Sequence, residues 1–211
     1  MTVTPMFPLE SVRLPGEGLP LRIFEPRYGV LVQDCLAAPE PVFGVVLIAA
    51  GREVGGGDRR TDVGVLAHID RCEAQGIGRY RLSCSMTDRI RITQWHNDDP
   101  YPRASVEMWP DEPGPSVSAG DIAEVEDRIM ALFARLAQVR GAALRDREFV
   151  LGVPVADVGM RLYTLASRVP MGQADKYSVL AAPTAVDRLA ALNEAVDGVA
   201  AMVEFQLGRD E

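Results

Sequence analysis

The hydrophobic period of this chain changes at one break, the segment Pro110–Gly120 with the sequence PDEPGPSVSAG. Before the break, apolar residues occur in short continuous runs or alternate with polar ones, which is typical of buried and half-buried strands. After it, apolar residues recur at steps of three and four, as in amphipathic helices. Regular elements seldom continue through a segment rich in Pro, Gly and Ser. We therefore predict an α+β chain with a β domain over residues 1–110, a linker over 111–120 and a helical bundle over 121–211.

Six segments before the break are predicted as strands or short extended pieces: Phe7–Leu9, Val12–Leu14, Val42–Ala49, Val63–Ile69, Arg79–Met86 and Ala104–Trp109. Within Arg79–Met86, arginine and serine alternate with apolar side chains, so one face is expected to be buried. Asp88 predicts a tight turn into a further strand, Arg89–Gln94. That hairpin would place four basic residues on one face, Arg79, Arg81, Arg89 and Arg91. Three consecutive glycines in Gly51–Thr61 predict a mobile loop there.

The predicted helices have recognisable ends. Glu25 is the expected N-cap and Pro26 the first residue of a helix with an apolar stripe of Leu31, Val32, Cys35 and Leu36. Beyond the break, Ser118 and Asp121 predict a capping box for a helix that reaches Val139 and stops at Gly141. Two shorter helices are predicted over Val158–Val169 and Gln173–Leu180. A last helix opens at Pro183 with one apolar face, formed by Leu189, Leu192, Val196, Val199 and Val203.

Composition excludes several functional classes. The net charge is −8, with 12 basic and 14 acidic side chains in residues 1–110 and 10 and 16 in residues 111–211. Neither half provides the positive field on which non-specific nucleic-acid binding depends, so nucleic acid is a poor candidate partner. Three widely spaced cysteines, Cys35, Cys72 and Cys84, predict reduced core thiols in a cytoplasmic protein. The sequence shows neither a signal-peptide pattern nor an apolar run long enough for a transmembrane helix.

No motif for catalysis, for a cofactor or for a metal is found. Lys176 is the only lysine and does not follow glycine, so the phosphate-loop motif is absent, and no zinc-binding spacing occurs. We therefore predict no catalytic residue, no cofactor and no metal. Gly76 and Gly78 predict a β-turn that enters a strand. A weaker cluster, His96, Asp98 and Asp99, is either turn chemistry or an acid–base or small-ligand site near Trp95 and Trp109.

The segment Leu19–Tyr28, LPLRIFEPRY, is the most informative stretch of the chain. Its apolar side chains are expected to face the core, and Glu25-Pro26 begins the helix. Arg27 opposes the helix dipole in the first turn, so we expect it to have a specific acceptor. Two interpretations stay open: a strand-to-helix corner, or the rim of a groove for extended or unfolded peptide. The candidate interaction residues are Leu21, Phe24, Arg27, Tyr28, Trp95 and Trp109.

A series of short motifs carries a family resemblance. In chain order they are Phe7-Pro8-Leu9, Leu14-Pro15-Gly16, Leu19-Pro20-Leu21, Ile23-Phe24-Glu25-Pro26-Arg27-Tyr28, Phe43-Gly44-Val45, Val63-Gly64 and Gly78-Arg79-Tyr80-Arg81-Leu82. This series resembles the N-terminal domain of the ATP-dependent Lon proteases, and the same domain where it occurs alone in small bacterial proteins. It is more distantly similar to the Lon-like domain of cereblon. The motifs cover about residues 6–109, and the helices beyond fit the family by pattern only.

The resemblance implies a β pseudo-barrel related to PUA domains, with one or two helices, followed by a C-terminal helical bundle. It also implies recognition of unfolded or tagged proteins. The ATPase and serine–lysine protease signatures of the full proteases do not occur in these 211 residues, so we expect a non-catalytic binding module or adaptor in protein quality control. A separate protease partner and the oligomeric state stay open, as does the contact surface, for which the Gly51–Thr61 loop and the last helix are candidates. The alternatives are a PUA-like RNA-binding module that uses the four arginines and an enzyme or ligand site near Trp95–Asp99.

Overall fold

The structure, a computed structural model, describes residues 2–50 and 59–210. These residues form two compact units that divide between Pro110 and Asp111, called here the β unit and the helical unit. Most of the loop predicted over Gly51–Thr61 lies outside the described residues. Its last three residues, Arg59, Arg60 and Thr61, form the start of a strand. The elements of the β unit are β1 (Thr2–Leu9), β2 (Gly18–Ile23), α1 (Pro26–Ala37), β3 (Val42–Ala50), β4 (Arg59–Ala74), β5 (Tyr80–Trp95) and β6 (Arg103–Met108).

The β unit is a mixed six-stranded sheet in the order β2-β5-β4-β3-β1-β6. β1 runs parallel to β3, and the other pairs are antiparallel. Because β5 pairs with β6 as well as with β4, five of the strands close a ring, and β2 extends the sheet beyond β5. A buried cluster lies inside this ring: Met6, Val46, Ile90, Ile92, Ala104 and Val106. A β-rich first half with a barrel-like closure agrees with the sequence prediction.

The hairpin predicted at Asp88 is wrong, because β5 continues without a turn from Tyr80 to Trp95. Met86 lies opposite Ala67 on β4, and Arg89 lies opposite Val65. Between these two pairs the chain advances by three residues on β5 and by only two on β4. The extra residue is a β-bulge at positions 87–88, and it reverses the side-chain alternation of the strand. The apolar residues before and after the bulge therefore occupy opposite faces of β5, although they keep the same spacing in the sequence.

Helix α1 begins as predicted, with Glu25 at the N-cap and Pro26 in the first turn. Its buried face carries Tyr28, whose ring centroid lies 4.2 Å from that of Phe7 on β1. Leu36 was expected in the apolar stripe, but it is exposed. It follows Cys35 by one residue, which is a rotation of about 100° around the helix, and so it turns away from the buried face.

The helical unit contains α2 (Ala119–Val139), α3 (Arg147–Leu151), α4 (Val158–Ala166), α5 (Gln173–Ala181) and α6 (Ala185–Asp210). α2 begins with the predicted capping box of Ser118 and Asp121. α6 packs on α2, α4 and α5, and α3 packs on α2. α6 begins after Thr184 rather than at Pro183, because the Thr184 hydroxyl accepts the backbone N–H of Asp187. α3 was not predicted, since five residues are too few to show a helical period.

Buried arginines join the segments of the helical unit. Arg161 on α4 donates to the Glu126 carboxylate on α2 and to backbone carbonyls at the end of α3 and just after it. Arg188 on α6 donates to both oxygens of Asp111, and its guanidinium lies 4.0 Å from the ring centroid of Tyr163. Asp111 was predicted as the first residue of a linker, and it is held to α6 by this ion pair. Within residues 2–50 and 59–210, no helix has the length and apolarity needed to cross a bilayer.

Candidate functional site

The corner between β2 and α1 exposes one large apolar side chain. Ile23 is buried as expected, and it is the last residue of β2. Phe24 follows it and was also expected to face the core, but 61% of its surface is exposed. Side chains alternate between the faces of a strand, so a buried Ile23 directs the next residue outwards. Leu21 on the same strand is half-buried.

Arg27 and Tyr28 build the corner instead of projecting from it. The Arg27 Nε donates to a carboxylate oxygen of Glu25 at 3.1 Å, which confirms that this arginine has a specific acceptor. Its guanidinium lies 4.5 Å from the ring centroid of Tyr28. Tyr28 itself is 3% exposed and packs on Phe7. Of the candidate residues in this segment, Phe24 is therefore the most accessible to a partner.

The turn between β4 and β5 packs against the first turns of α1. A Cβ atom added to Gly29 would lie 2.7 Å from the carbonyl oxygen of Gly78, so the two backbones are in direct contact. Gln33 on α1 donates to the Tyr80 hydroxyl at 3.1 Å. Tyr80 also lies opposite Ile23 in the β2–β5 register, which brings the end of β2 to the same place. The three segments that meet here are β2, α1 and the β4–β5 turn.

Besides Leu36 in the last turn of α1, three exposed apolar side chains project from these segments: Phe24, Val30 and Ile77. We call them the corner surface. Ile77 is fully exposed at the tip of the turn, between Gly76 and Gly78, whose positive φ angles confirm the predicted β-turn. Sequence analysis missed Val30 and Ile77. The available signals were that Val30 falls outside the apolar stripe of α1, and that an apolar residue stands between two turn glycines.

The corner surface has a basic border. Arg22 on β2 lies directly opposite Arg81 on β5, and both side chains are exposed. Arg79 is exposed at the entrance to β5. Like charges placed opposite each other in a sheet repel, so the side chains of Arg22 and Arg81 extend into solvent. Arg81 also lies opposite Glu73 on β4, so the border of the apolar surface carries exposed arginines together with one carboxylate.

The two candidate tryptophans are covered by arginines. The guanidinium carbons of Arg89 and Arg91 lie 4.1 and 3.8 Å from the ring centroid of Trp109, which is buried. The Arg60 guanidinium covers the Trp95 ring at 4.7 Å, and Trp95 packs against the core inside the ring of strands. Both rings are therefore engaged in stacking with guanidinium groups.

The cluster of His96, Asp98 and Asp99 is divided between different partners. His96 Nε2 lies 2.9 Å from the Ser105 hydroxyl, whereas the Asp98 carboxylate accepts two hydrogen bonds from Arg60. This arrangement provides no acid–base pair between His96 and Asp98. In the described part of the chain, no group of three His, Cys, Asp or Glu side chains is placed to hold a metal ion.

The four arginines proposed for RNA do not share a face. Before the bulge, Arg79 and Arg81 are exposed, and Arg81 lies on the face opposite the buried Leu82. After the bulge, Arg89 and Arg91 lie on the face of β5 that carries Met86, and Arg89 is buried. The bulge therefore removes the continuous basic face that the predicted hairpin would have produced.

Comparison with known proteins agrees with the motif series. Residues 3–198 match the family described as the substrate-binding domain of ATP-dependent protease La (LON). The chain belongs to this family. The match covers the strands of the Lon domain, from within β1 onwards, and most of its helices, including most of α6. The resemblance inferred from the short motifs is therefore confirmed.

Solved structures show the same fold. The Lon N-terminal domain protein from Xanthomonas campestris is 22% identical, with a TM-score of 0.67 and coverage of 92% of this chain and 98% of that one. The N-terminal domain of the Mycobacterium avium complex Lon protease is 16% identical, with a TM-score of 0.63 and coverage of 93% and 98%. No curated protein sequence matches this Lon domain. The matched family is named for substrate binding and not for catalysis.

Proposed function

We propose that this Lon domain recognises unfolded or tagged proteins and that the corner surface is where it contacts them. The observation that carries the proposal is the joint exposure of Phe24, Val30 and Ile77 on three segments that pack together. A folded protein buries its apolar side chains, whereas an unfolded one exposes them, so an apolar surface on a rigid corner distinguishes the two states. The family name, which specifies substrate binding, supports the same role.

The proposal extends to a place in the cell. We assign the chain to cytoplasmic protein quality control, as a non-catalytic module or as an adaptor that delivers substrates to a separate protease. Three free cysteines in the β unit support a reducing compartment. In this scheme the β domain of residues 1–110 makes the substrate contact, and residues 121–211 form a helical bundle that follows a linker.

Binding to one model protein in two states tests the proposal. The ligand is a reduced and carboxymethylated protein that cannot refold, and the native form of the same protein is the comparison. Fluorescence anisotropy of the labelled ligand gives both affinities. We expect the unfolded form to bind at least tenfold more tightly. Equal affinity for the two forms, or no binding to the unfolded one, would contradict the proposal.

A double variant locates the contact. Phe24→Ser with Ile77→Ser removes two exposed side chains, each worth about 1 kcal/mol or more when buried at an interface, so we expect at least a tenfold loss of affinity. The matched control is Met108→Ser, because Met108 is also exposed and apolar. Met108 lies opposite Ile90, ten residues along β5 from Tyr80, which is roughly 30 Å away. If the control loses as much affinity as the double variant, the corner surface is not the contact.

A further inference from the structure

The helical unit contains a cavity that none of the motifs predicted. Its volume is about 320 Å³, and it lies between the C-terminal half of α2, the segment after α2 and α3. The apolar part of its lining includes Phe133 and Leu136 on α2, Leu144 in the connecting segment and Phe149 on α3. Phe149 and Leu144 are exposed, so the apolar wall is open to solvent.

Three arginines line the same cavity: Arg140, Arg145 and Arg168. None of them forms an ion pair or a side-chain hydrogen bond with the described residues. The cavity lining includes no acidic residue. An apolar cavity with three unpaired guanidinium groups is therefore complementary to an apolar ligand that carries an anionic group.

This grouping contrasts with the rest of the helical unit. Each of the other arginines whose side chain is described there is paired with a carboxylate, namely Arg128, Arg135, Arg147, Arg161 and Arg188. Residues 111–211 carry 16 acidic and 10 basic side chains, so carboxylates are in excess. Pairing is the rule in this unit, and the three exceptions all lie around one cavity.

Packing holds two of these guanidinium groups at the cavity. The Arg145 guanidinium carbon lies 4.1 Å from the ring centroid of Phe149, a cation–π distance. A Cβ atom at Gly152 would lie 3.2 Å from Nη2 of Arg168, so that arginine packs closely against the backbone that follows α3. Gly152 has a φ of 73°, a conformation that side-chain-bearing residues rarely adopt. The glycine therefore leaves room for the arginine beside the cavity.

We propose that this cavity binds the C-terminal residue of a polypeptide, with its apolar side chain against Phe133 and Phe149 and its terminal carboxylate on the arginines. A C-terminal residue carries an apolar side chain and a carboxylate on one Cα, which matches the two parts of the cavity. Arginine binds carboxylates with paired, charge-assisted hydrogen bonds, so the terminal group is read directly. The inference rests on the proposed function, because it names the chain end of a protein substrate as the ligand.

Two peptides that differ in one group test this assignment. Both are labelled at the N-terminus and end in Leu-Leu, one as the free acid and the other as the amide. Anisotropy titrations with the full chain should show the acid binding at least tenfold more tightly than the amide. Equal affinity overturns the proposal, because the cavity then does not recognise the carboxylate. Decanoate is titrated separately by isothermal calorimetry, and its binding without any binding of the acid peptide would assign the cavity to a free alkyl carboxylate instead.

Variants connect the effect to the arginines. Arg145→Gln with Arg168→Gln should reduce binding of the acid peptide at least tenfold, with far-UV circular dichroism to confirm the fold. The control is Arg135→Gln on α2, which lies outside the cavity lining. The corner-surface variant is expected to keep its affinity for the acid peptide, and the arginine variant is expected to keep its affinity for an unfolded protein with an amidated C-terminus. The two sites can therefore fail independently.

Discussion

Glu126→Gln is the substitution that most directly tests how the helical unit is held together. Arg161 is 5% exposed, and its Nε and Nη2 donate to one oxygen of Glu126 at 3.0 and 2.7 Å. Its remaining group, Nη1, donates to the carbonyl oxygens of Leu151 and Val153. This one guanidinium joins α2, α3 and α4. Glutamine keeps the size of the side chain and removes its charge.

The expected loss of stability follows from these contacts. Removing one partner of a buried ion pair costs about 3–5 kcal/mol, because the other charge is left without compensation. Here the carbonyl acceptors of Arg161 remain, and the glutamine oxygen still accepts a hydrogen bond, which reduces the loss. The second arginine on Glu126, Arg147, is half exposed, so solvent screens its charge and its loss adds little. We expect the free energy of unfolding to fall by about 2–3 kcal/mol.

Urea unfolding measured by circular dichroism at 222 nm checks this value, since most of the helical residues are in the helical unit. With a slope of about 2 kcal/mol per molar, the midpoint should fall by roughly 1 M. The control is Glu124→Gln, an exposed position on the same helix, for which we expect a change below about 0.5 kcal/mol. Equal midpoints for the two variants would refute the account of Arg161 as a buried charge that needs Glu126.

The pH dependence provides an independent check. Burial acts to raise the pKa of Glu126, but the hydrogen bonds from Arg161 and Arg147 outweigh it, so the pKa lies below its ordinary value of 4.5. The folded state therefore binds this proton more weakly than the unfolded state does. The stabilisation is present above about pH 4.5 and is lost as the pH falls through the lowered pKa. The difference between the wild type and Glu126→Gln should shrink towards pH 3, and a constant difference would point to another cause.

Two further sets of substitutions test the packing of individual positions. Gly29→Ala should destabilise the β unit by about 1–3 kcal/mol, because its Cβ would meet a backbone carbonyl at 2.7 Å. In α6, a Cβ atom added at Gly198 has no neighbour within 4 Å, so Gly198→Ala should stabilise the helical unit by about 0.5–1 kcal/mol. Thermal unfolding of the two variants compares these effects. Burial raises the pKa of Cys35 and of Cys84 to about 12, so these thiols should react with a disulfide reagent far more slowly at pH 8 than Cys72, which is partly exposed. Replacement of Cys72 by Ser should remove the fast phase.

Sequence patterns predicted the elements of this fold better than the faces they present. Local signals are strong where capping groups and periodicity agree, as at Ser118 and Pro26, and both helices begin where expected. The bulge in β5 could not be predicted in this way. Leu82, Met86 and Ile90 stand at even spacings and are all buried, yet they occupy opposite faces on either side of the bulge. The register with β4 decides this, and no local pattern contains it.

Only part of the candidate site could be predicted, because the exposure of its side chains also depends on contacts between distant segments. The segment Leu19–Tyr28 was identified as informative, and its main role in the structure is to form the corner that positions Phe24. Which of its apolar side chains face solvent depends on where β2 ends. Ile77 contributes only because the β4–β5 turn packs on α1, a contact between residues about 50 positions apart in the sequence. Such a surface is a property of the packed segments and not of any one motif.

The arginines show why the absence of a partner can be informative in this chain. All basic residues except Lys176 are arginines, and those in the interior use chemistry that lysine lacks. Arg89 stacks on Trp109 while it donates to two backbone carbonyls, and Arg161 uses all its nitrogens at once. A planar guanidinium is satisfied only when acceptors lie in its plane. The cavity arginines are exposed and have no acceptor among the described residues, so a bound carboxylate would give them the pairing that the other described arginines of the helical unit already have.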